Sequence, residues 1–367
     1  MSRLRSFAFE PVGSDAPENV SPYPLRALVA TGAHGKAYLA YSPTGLPVVV
    51  KVYRFGFGAD PGARARILRA ATVARSMDCE IAAPVIGAGF TMHRLWVATS
   101  YQAGPSLADA VFQHGPLPRE GVRRLTLALT RLVGELHLVG LSGRGVEPAD
   151  VVLVPDGPRV VDLGFARVEG EPTAALAEPA DALPGRYASG AAVLAEDVRN
   201  VGAVLYFAAT GRMPSSGADD NISPSVGNCP SALREPIAAS LRENPARRPS
   251  LTELAAGAST AGVPSSTAEQ WKSAQWLPDG VLRDVEARSA AISELRRRDA
   301  WLAMSNMPDS GSGFEDDGGV VRPRAGAAWD GPADAPSVPW DERPEAARGR
   351  GEAQPSARRS WLRRSPR

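Results

Sequence analysis

Cysteine and long apolar runs are nearly absent from this chain of 367 residues. Its two cysteines, Cys79 and Cys229, are too few for a disulfide framework, which favours a reducing compartment, the cytoplasm. No stretch approaches the roughly 20 consecutive apolar residues that a transmembrane helix needs, so we expect no membrane span. The first 24 residues also lack the apolar run of a signal peptide.

An excess of charge of either sign is lacking as well. With 41 basic and 40 acidic residues the net charge is +1, so we expect no global attraction to nucleic acid or to an anionic membrane. Arginine is the usual cation and lysine is rare, which makes each lysine informative. The three lysines are Lys36, Lys51 and Lys272.

Composition divides the chain into five segments. Residues 1–20 are polar and show no periodicity, so we predict a flexible N-terminal segment there. Residues 21–102 are rich in strand patterns, and residues 103–262 are rich in helix patterns. A helical extension is predicted over 263–306. Residues 307–367 are dominated by Gly, Pro, Ser, Ala and charges, which predicts a disordered tail.

Periodicity predicts the elements inside the two central segments. β-branched residues indicate a strand over Pro47–Tyr53. An apolar stripe with helical spacing indicates a buried helix over residues 120–138, and Ser250 with Glu253 has the spacing of a capping box. The other predicted elements are a helix over 62–77, two strands within 84–101, a hairpin of residues 151–154 and 159–161, and a helix over 197–209.

The most specific pattern lies in residues 133–167, which predict a helix, a tight loop, a strand, an Asp-Gly turn, a strand and then Asp-Leu-Gly. This order resembles the catalytic core of the bacterial eukaryotic-type serine/threonine protein kinases, of the style found in actinobacteria. The resemblance extends over residues 23–262. It implies an α+β, bilobal protein-kinase-like fold, with a kinase-like N-lobe at 21–102, a kinase-like C-lobe at 103–262 and the disordered tail beyond.

The resemblance implies an ATP site in the N-lobe. Gly32 and Gly35 match the second and third glycines of the family's phosphate-binding loop, although a plain hairpin turn also explains two glycines. Lys51 matches the strand lysine that contacts the α- and β-phosphates. The backbone at Ser100 and Gln102 matches the hinge that would hold the adenine.

The catalytic loop departs from the family pattern. Gly145 stands where the family has the aspartate that orients and deprotonates the substrate hydroxyl, and Glu147 replaces the loop lysine. Asp150 stands at the position of the metal-binding asparagine, where a metal ligand and a turn aspartate that caps its own backbone are equally good interpretations. Asp162, followed by Leu-Gly, matches the Mg²⁺-binding aspartate of Asp-Phe-Gly. Its carboxylate oxygens are the kind of ligand that Mg²⁺ prefers.

Three further positions bear on the site. Alignment with the small-lobe helix puts Ala70 where the family has the glutamate that pairs with the lysine, so Lys51 would act unaided or with Glu80. Asp197 resembles the buried aspartate that braces the catalytic loop. Arg248 resembles the late arginine that pairs with the glutamate of Ala-Pro-Glu, and no such glutamate is evident in this sequence.

Three hypotheses of function follow from the resemblance. The first is a pseudokinase that binds ATP and Mg²⁺ weakly and acts as a cytoplasmic signalling scaffold or switch for a protein partner. The second is an active, atypical Ser/Thr kinase that transfers the γ-phosphate to protein hydroxyls, with Asp150 as a possible substitute for the missing base. The third is an interaction module that keeps the fold and binds no nucleotide.

Overall fold

The computed structural model describes residues 9–14, 16–17, 19–20, 22–91, 93–142, 145–163, 167–168, 190–214, 229–259 and 276–305. They all fall within one compact unit that ends at residue 307. Several predicted features lie outside these ranges. They are the tail at 307–367, residues 263–275 of the predicted helical extension, and residues 143–144 and 164–166 within the kinase-like pattern of 133–167.

A six-stranded antiparallel sheet forms the N-terminal lobe, with strand order β1-β2-β3-β4-β6-β5. The alternation of β4 gives the sheet two apolar faces, as the strand pattern predicts. Val48, Val50 and Val52 pack on one face with Trp96, whereas Tyr53 packs on the other. The strands are β1 (Asn19–Val20), β2 (Tyr23–Gly32), β3 (Gly35–Tyr41), β4 (Pro47–Tyr53), β5 (Val85–Thr91) and β6 (Arg94–Ser100).

A short helix, α1 (Phe55–Ala59), leads from β4 into α2 (Pro61–Arg75), close to the helix predicted over 62–77. Proline at the first position and the carboxylate of Asp60, which accepts a hydrogen bond of 2.9 Å from Gly62 N, start this second helix. Its buried face consists mainly of small side chains, so the helix can lie close to the sheet. That face comprises Ala63, Arg66, Ile67, Ala70, Ala71 and Ala74.

The C-terminal lobe is helical and is built around the long helix α4 (Arg119–Leu138). The predicted apolar stripe of α4 is confirmed, because Leu125, Leu129 and Leu132 are fully buried. The predicted capping box is also confirmed, with both the Ser250 and the Glu253 hydrogen bonds present. The helices are α3 (Leu107–His114), α4 (Arg119–Leu138), α5 (Gly190–Thr210), α6 (Ser231–Ser240) and α7 (Leu251–Ala258), with a 3₁₀ turn at Pro245–Arg247.

Two small antiparallel pairs lie between the lobes. β7 (Leu141–Ser142) pairs with β10 (Arg167–Val168), and β8 (Val151–Val154) pairs with β9 (Gly157–Val160). Backbone hydrogen bonds tie β9 to the chain that enters β5, since Ala83 N donates to Val160 O at 2.8 Å and Val160 N donates to Ile81 O at 2.7 Å. The end of β9 is therefore held directly against the N-terminal lobe.

A last helix, α8 (Asp279–Ser305), lies within the predicted extension and contacts both lobes. On the C-terminal lobe, His114 Nε2 lies 2.8 Å from Asp284 Oδ2. On the N-terminal lobe, Ile292 packs in one buried cluster with Ala27 and Leu39. None of the helices in the described ranges combines the length and the hydropathy that a bilayer crossing requires.

The described part of residues 1–20 differs from the loose lead-in that its composition predicts. Val20 is buried and its strand pairs with β2. Leu28 N donates to Glu10 O at 2.8 Å, and the Phe9 ring packs edge-on against Tyr101 with 6.1 Å between centroids. Isolated apolar residues in a polar segment give no periodic signal, so sequence patterns cannot reveal this docking.

Candidate functional site

Lys51 and Asp162 form an ion pair between the lobes, in which the lysine Nζ donates to the aspartate Oδ2. Lys51 lies on the central strand β4, opposite Ala37 of β3 and Val97 of β6. Asp162 lies two residues after the end of β9. Their side chains are 21% and 13% exposed, so both charges are largely shielded from water and each is held by the other.

The turn that contains Asp150 lies beside this pair, because Val161 N donates to Asp150 O at 3.0 Å. The carboxylate Oδ2 of Asp150 accepts a hydrogen bond of 3.2 Å from Glu147 N. The turn-capping contact is thus present, as one of the two sequence interpretations requires. The described residues contain no cluster of three or more His, Cys, Asp or Glu side chains that could hold a metal ion.

Gly145 has a left-handed backbone, with φ +67°. A Cβ at this position would lie 3.1 Å from Asn200 Nδ2, which is closer than nearly all real contacts of this kind. Glycine alone adopts this conformation at no steric cost. The site therefore has no side-chain base at residue 145 and has little room for one.

The predicted phosphate loop is the hairpin turn between β2 and β3, where Gly32 pairs with Gly35. A Cβ at Gly35 would lie 2.1 Å from Val52 O, so close packing of β3 on β4 requires this glycine. A Cβ at Gly32 would make an ordinary van der Waals contact, 3.9 Å from Gly35 O. Strand packing alone thus explains Gly35, and the contact of this loop with phosphate stays a prediction.

The predicted hinge follows β6. Gln102 Nε2 donates to Ser100 Oγ at 2.8 Å, which fixes the segment locally. The amides of Ser100 and Tyr101 donate to Pro84 O and Pro47 O, at 3.0 and 3.1 Å. Since the Ser100 amide already donates to Pro84 O, an adenine ring would have to form hydrogen bonds with other backbone groups of the hinge.

The helix next to Lys51 supplies no acid. Ala70 is fully buried, Glu80 is exposed after the helix, and none of the 15 residues of α2 is Asp or Glu. The lysine ammonium instead lies over the ring of Tyr53, 5.1 Å from its centroid. Sequence reasoning missed this tyrosine, although its position two residues after Lys51 on one strand places both on the same face.

Asp197 is buried on α5, where its Oδ2 lies 2.9 Å from Nε2 of His137 at the end of α4. The structure therefore brings the predicted bracing aspartate to the helix that leads into the catalytic loop. Two residues of that loop, Gly143 and Arg144, lie outside the described ranges.

Sequence reasoning also missed the acid that pairs with Arg248. Nη1 of this arginine lies 2.9 Å from Glu196 Oε2, and the arginine side chain is 5% exposed. The same guanidinium donates to the carbonyls of Ala195, Arg242 and Glu243. The only sequence signal was that Glu196 directly precedes the buried Asp197.

Comparison with known proteins supports a kinase domain. The chain is 35% identical over 277 residues to the probable serine/threonine-protein kinase PkwA of Thermomonospora curvata, covering 71% of this chain and 36% of that protein. It is 29% identical over 290 residues to the serine/threonine-protein kinase AfsK of Streptomyces coelicolor, covering 74% and 36%. The chain thus spans about a third of the length of these relatives. No protein-family model matches it.

The fold is similar to that of the Mycobacterium tuberculosis PknI kinase domain, with a TM-score of 0.53 at 23% identity, over 66% of this chain and 98% of that domain. This confirms the α+β, bilobal fold predicted from the sequence. By its relatives and its fold, the chain belongs to the bacterial eukaryotic-type serine/threonine protein kinase family.

Proposed function

We propose that this chain is a pseudokinase, which binds ATP and Mg²⁺ weakly and serves as a signalling switch or scaffold for a protein partner. The observation that carries the proposal is the contrast between two positions of one site. Lys51 and Asp162 retain the charges that hold a nucleotide, whereas Gly145 offers no proton acceptor. Both cysteines are free and buried, which supports a reducing, cytoplasmic setting.

ATP binding draws on groups of both lobes. The Lys51 ammonium would contact the phosphates, and the carboxylates of Asp162 and Asp150 would hold Mg²⁺, which commonly takes one or two carboxylates together with phosphate oxygens. When bound, the ion neutralises phosphate charge. A nucleotide must compete with the direct Lys51–Asp162 pair, so weak affinity is expected. Binding that favours one arrangement of the lobes would shift their population and expose or hide a partner surface.

The loss of phosphotransfer follows from the catalytic loop. General-base assistance contributes about 10²–10⁴-fold to rate, and Gly145 cannot supply it. Asp150 is a poor substitute because its carboxylate would ligate Mg²⁺ and its Oδ2 already accepts the Glu147 amide. Glu147 adds negative charge where the family has a lysine, which would repel the γ-phosphate.

An active, atypical kinase is the second candidate, favoured by one observation. Among the relatives, PkwA is a probable serine/threonine-protein kinase and AfsK is a serine/threonine-protein kinase. In that case Glu147, which is exposed, or Asp150 would orient the acceptor hydroxyl, and positioning by Lys51 and the metal would carry the reaction.

Two measurements separate these candidates. Calorimetric titration of the full chain with ATP, with and without Mg²⁺, measures the dissociation constant. We expect this constant to be at least ten-fold higher in Asp162→Asn. Asp156→Asn is the matched control, because Asp156 lies at the hairpin turn and pairs with Arg159. Incubation with γ-labelled ATP and a serine/threonine peptide pool should give no incorporation above that of Asp162→Asn. If the wild type incorporates label and Asp162→Asn abolishes this incorporation, the chain is an active kinase. If the calorimetric titration shows no heat of binding at millimolar ATP, the remaining hypothesis is the interaction module that binds no nucleotide.

A further inference from the structure

The ammonium of Lys51 has a second neighbour besides Asp162. Lys51 and Tyr53 are two residues apart on β4, so their side chains leave the same face of the strand. The Nζ atom lies over the tyrosine ring, 5.1 Å from the centroid, within the roughly 6 Å range of cation–π attraction. Tyr53 is only 2% exposed, so this contact is made away from bulk water, where such attraction is strongest.

The small-lobe helix α2 offers Lys51 no acidic partner. Tyr53 shares a buried cluster with Ile67 and with three alanines of α2. Because α2 contains four arginines and no acid, it cannot pair with Lys51 in any register. Tyr53 therefore supplies an aromatic ring to the ammonium where α2 supplies no carboxylate.

Neighbouring rings hold the tyrosine in place. Phe57 packs edge-on against Tyr53, with 6.1 Å between centroids, and His34 packs edge-on against Phe57 at 5.8 Å. His34 belongs to the turn between Gly32 and Gly35. The orientation of the Tyr53 ring is therefore linked by direct contacts to the predicted phosphate loop.

We infer that Tyr53 is a positioning residue for Lys51, in place of a carboxylate from the helix. The inference rests on the proposed nucleotide site and deepens it. An aromatic face directs the ammonium and leaves its full positive charge in place, so Lys51 retains that charge for phosphate. The lysine is then pre-organised by the N-terminal lobe itself, whatever the position of α2.

The scarcity of lysine makes a direct test possible. In the full chain labelled with ¹³C at lysine Cε, only three lysine signals occur, which Lys→Arg variants identify. Ring currents above an aromatic face shift protons upfield, so the Lys51 Hε signal should lie upfield of those of Lys36 and Lys272. It should remain there in Tyr53→Phe and return to the position of an exposed lysine in Tyr53→Leu.

Tyr38→Leu is the matched control. Tyr38 is a buried tyrosine of the same sheet, 3% exposed, and it packs in the cluster on the opposite face. This variant should leave the Lys51 signal unchanged. A wild-type Lys51 signal without an upfield shift would overturn the inference even if Tyr53→Leu failed to fold. An equal change in Tyr38→Leu and Tyr53→Leu would also overturn it, since that would indicate general loosening.

ATP titration then connects this positioning to binding. Tyr53→Leu should lower the affinity for ATP about five-fold, as expected for the loss of one cation–π contact. Tyr53→Phe and Tyr38→Leu should bind ATP with the affinity of the wild type. Wild-type protein that binds no ATP would refute the proposed function, and the NMR signal would still decide the role of Tyr53. Normal ATP affinity in a folded Tyr53→Leu would refute the positioning role alone.

Discussion

The side-chain amide of Asn200 lies close beside the position that a Cβ at Gly145 would take, with Nδ2 3.1 Å from that point. Asn200 is on α5, three residues after the buried Asp197, so it is fixed by the same helix that contacts the end of α4. The left-handed φ of +67° adds a second obstacle to any side chain. The missing aspartate is therefore accompanied by a backbone and a neighbour that fit glycine.

Restoring the aspartate should not restore catalysis. We expect Gly145→Asp to remain inactive towards a serine/threonine peptide pool and to lose about 1–3 kcal/mol of stability, the usual cost of a non-glycine residue in a strained region. Urea denaturation measures the loss, and incorporation of label from ATP measures activity. The matched control is Gly145→Asp in an Asn200→Ala background, because Asn200→Ala removes the side chain that lies 3.1 Å from the Cβ position and leaves the positive φ unchanged. The loss from Gly145→Asp should be smaller in that background. A gain of activity, or an equal loss with and without Asn200, would show that Asn200 is no obstacle.

Local sequence patterns predicted the parts of this molecule that depend on neighbours along the chain. The strand around Lys51, the stripe of α4 and the capping box at Ser250 each have a period or a spacing. Asp162 was found because a strand and a turn precede it in the order typical of the family. Lys51 and Asp162 are 111 residues apart, and only the resemblance, not a local pattern, pointed to their meeting.

Contacts between distant segments gave no such signal. The pairing of Arg248 with Glu196 joins a turn to a helix across 52 residues, and nothing in the local sequence marks which acid is used. The cation–π contact of Tyr53 with Lys51 depends on the tertiary setting of both side chains, and the sequence comparison registered only that Ala70 stands where the family has a glutamate. The docking of Ile292 beneath Ala27 and Leu39 is likewise set by tertiary packing.

Removing Arg248 should be costly. Its buried guanidinium pairs with Glu196 and donates to three carbonyls, so Arg248→Met would leave several polar groups without a partner. We expect the free energy of unfolding to fall by about 3 kcal/mol, which is the lower end of the usual cost when a buried ion pair loses one member. Arg242→Met is the control, since its partner Glu235 is 77% exposed and such pairs contribute less than about 1 kcal/mol. Similar urea midpoints for the two variants would contradict this prediction.

Trp276, which precedes α8, should anchor the helical extension to the C-terminal lobe. The side chain is 2% exposed and its Nε1 donates to Pro155 O at 3.0 Å, in the turn of the β8–β9 hairpin. Trp276→Phe should lose about 1 kcal/mol for the hydrogen bond, and Trp276→Ala about 3–5 kcal/mol for the packing. Phe112→Ala should be nearly neutral because Phe112 is 89% exposed. If thermal unfolding shows Trp276→Ala to be as stable as Phe112→Ala, the helix is not anchored there.

Acid should selectively weaken the start of α4. Glu120 accepts hydrogen bonds from Arg123 at 2.7 and 2.8 Å and from Arg124 at 2.6 Å. These contacts, those of Arg123 above all, lower the pKa of Glu120 from 4.5 to about 2, although partial burial opposes the shift. A carboxylate with a lowered pKa in the folded state contributes stability that is complete above its ordinary pKa and is lost as the pH falls towards the folded value.

The variant Glu120→Gln should therefore be less stable than the wild type at pH 7, and the difference should shrink steadily as the pH falls from about 4.5 towards 2. Urea midpoints at pH 7, 5 and 3.5 measure this trend. In the double variant Arg123→Met, Arg124→Met, which lacks both guanidinium partners, Glu120→Gln should have nearly the same effect at every pH. A difference that stays constant between pH 7 and 3.5 in the unmodified background would mean that these arginines do not hold the carboxylate in its charged form.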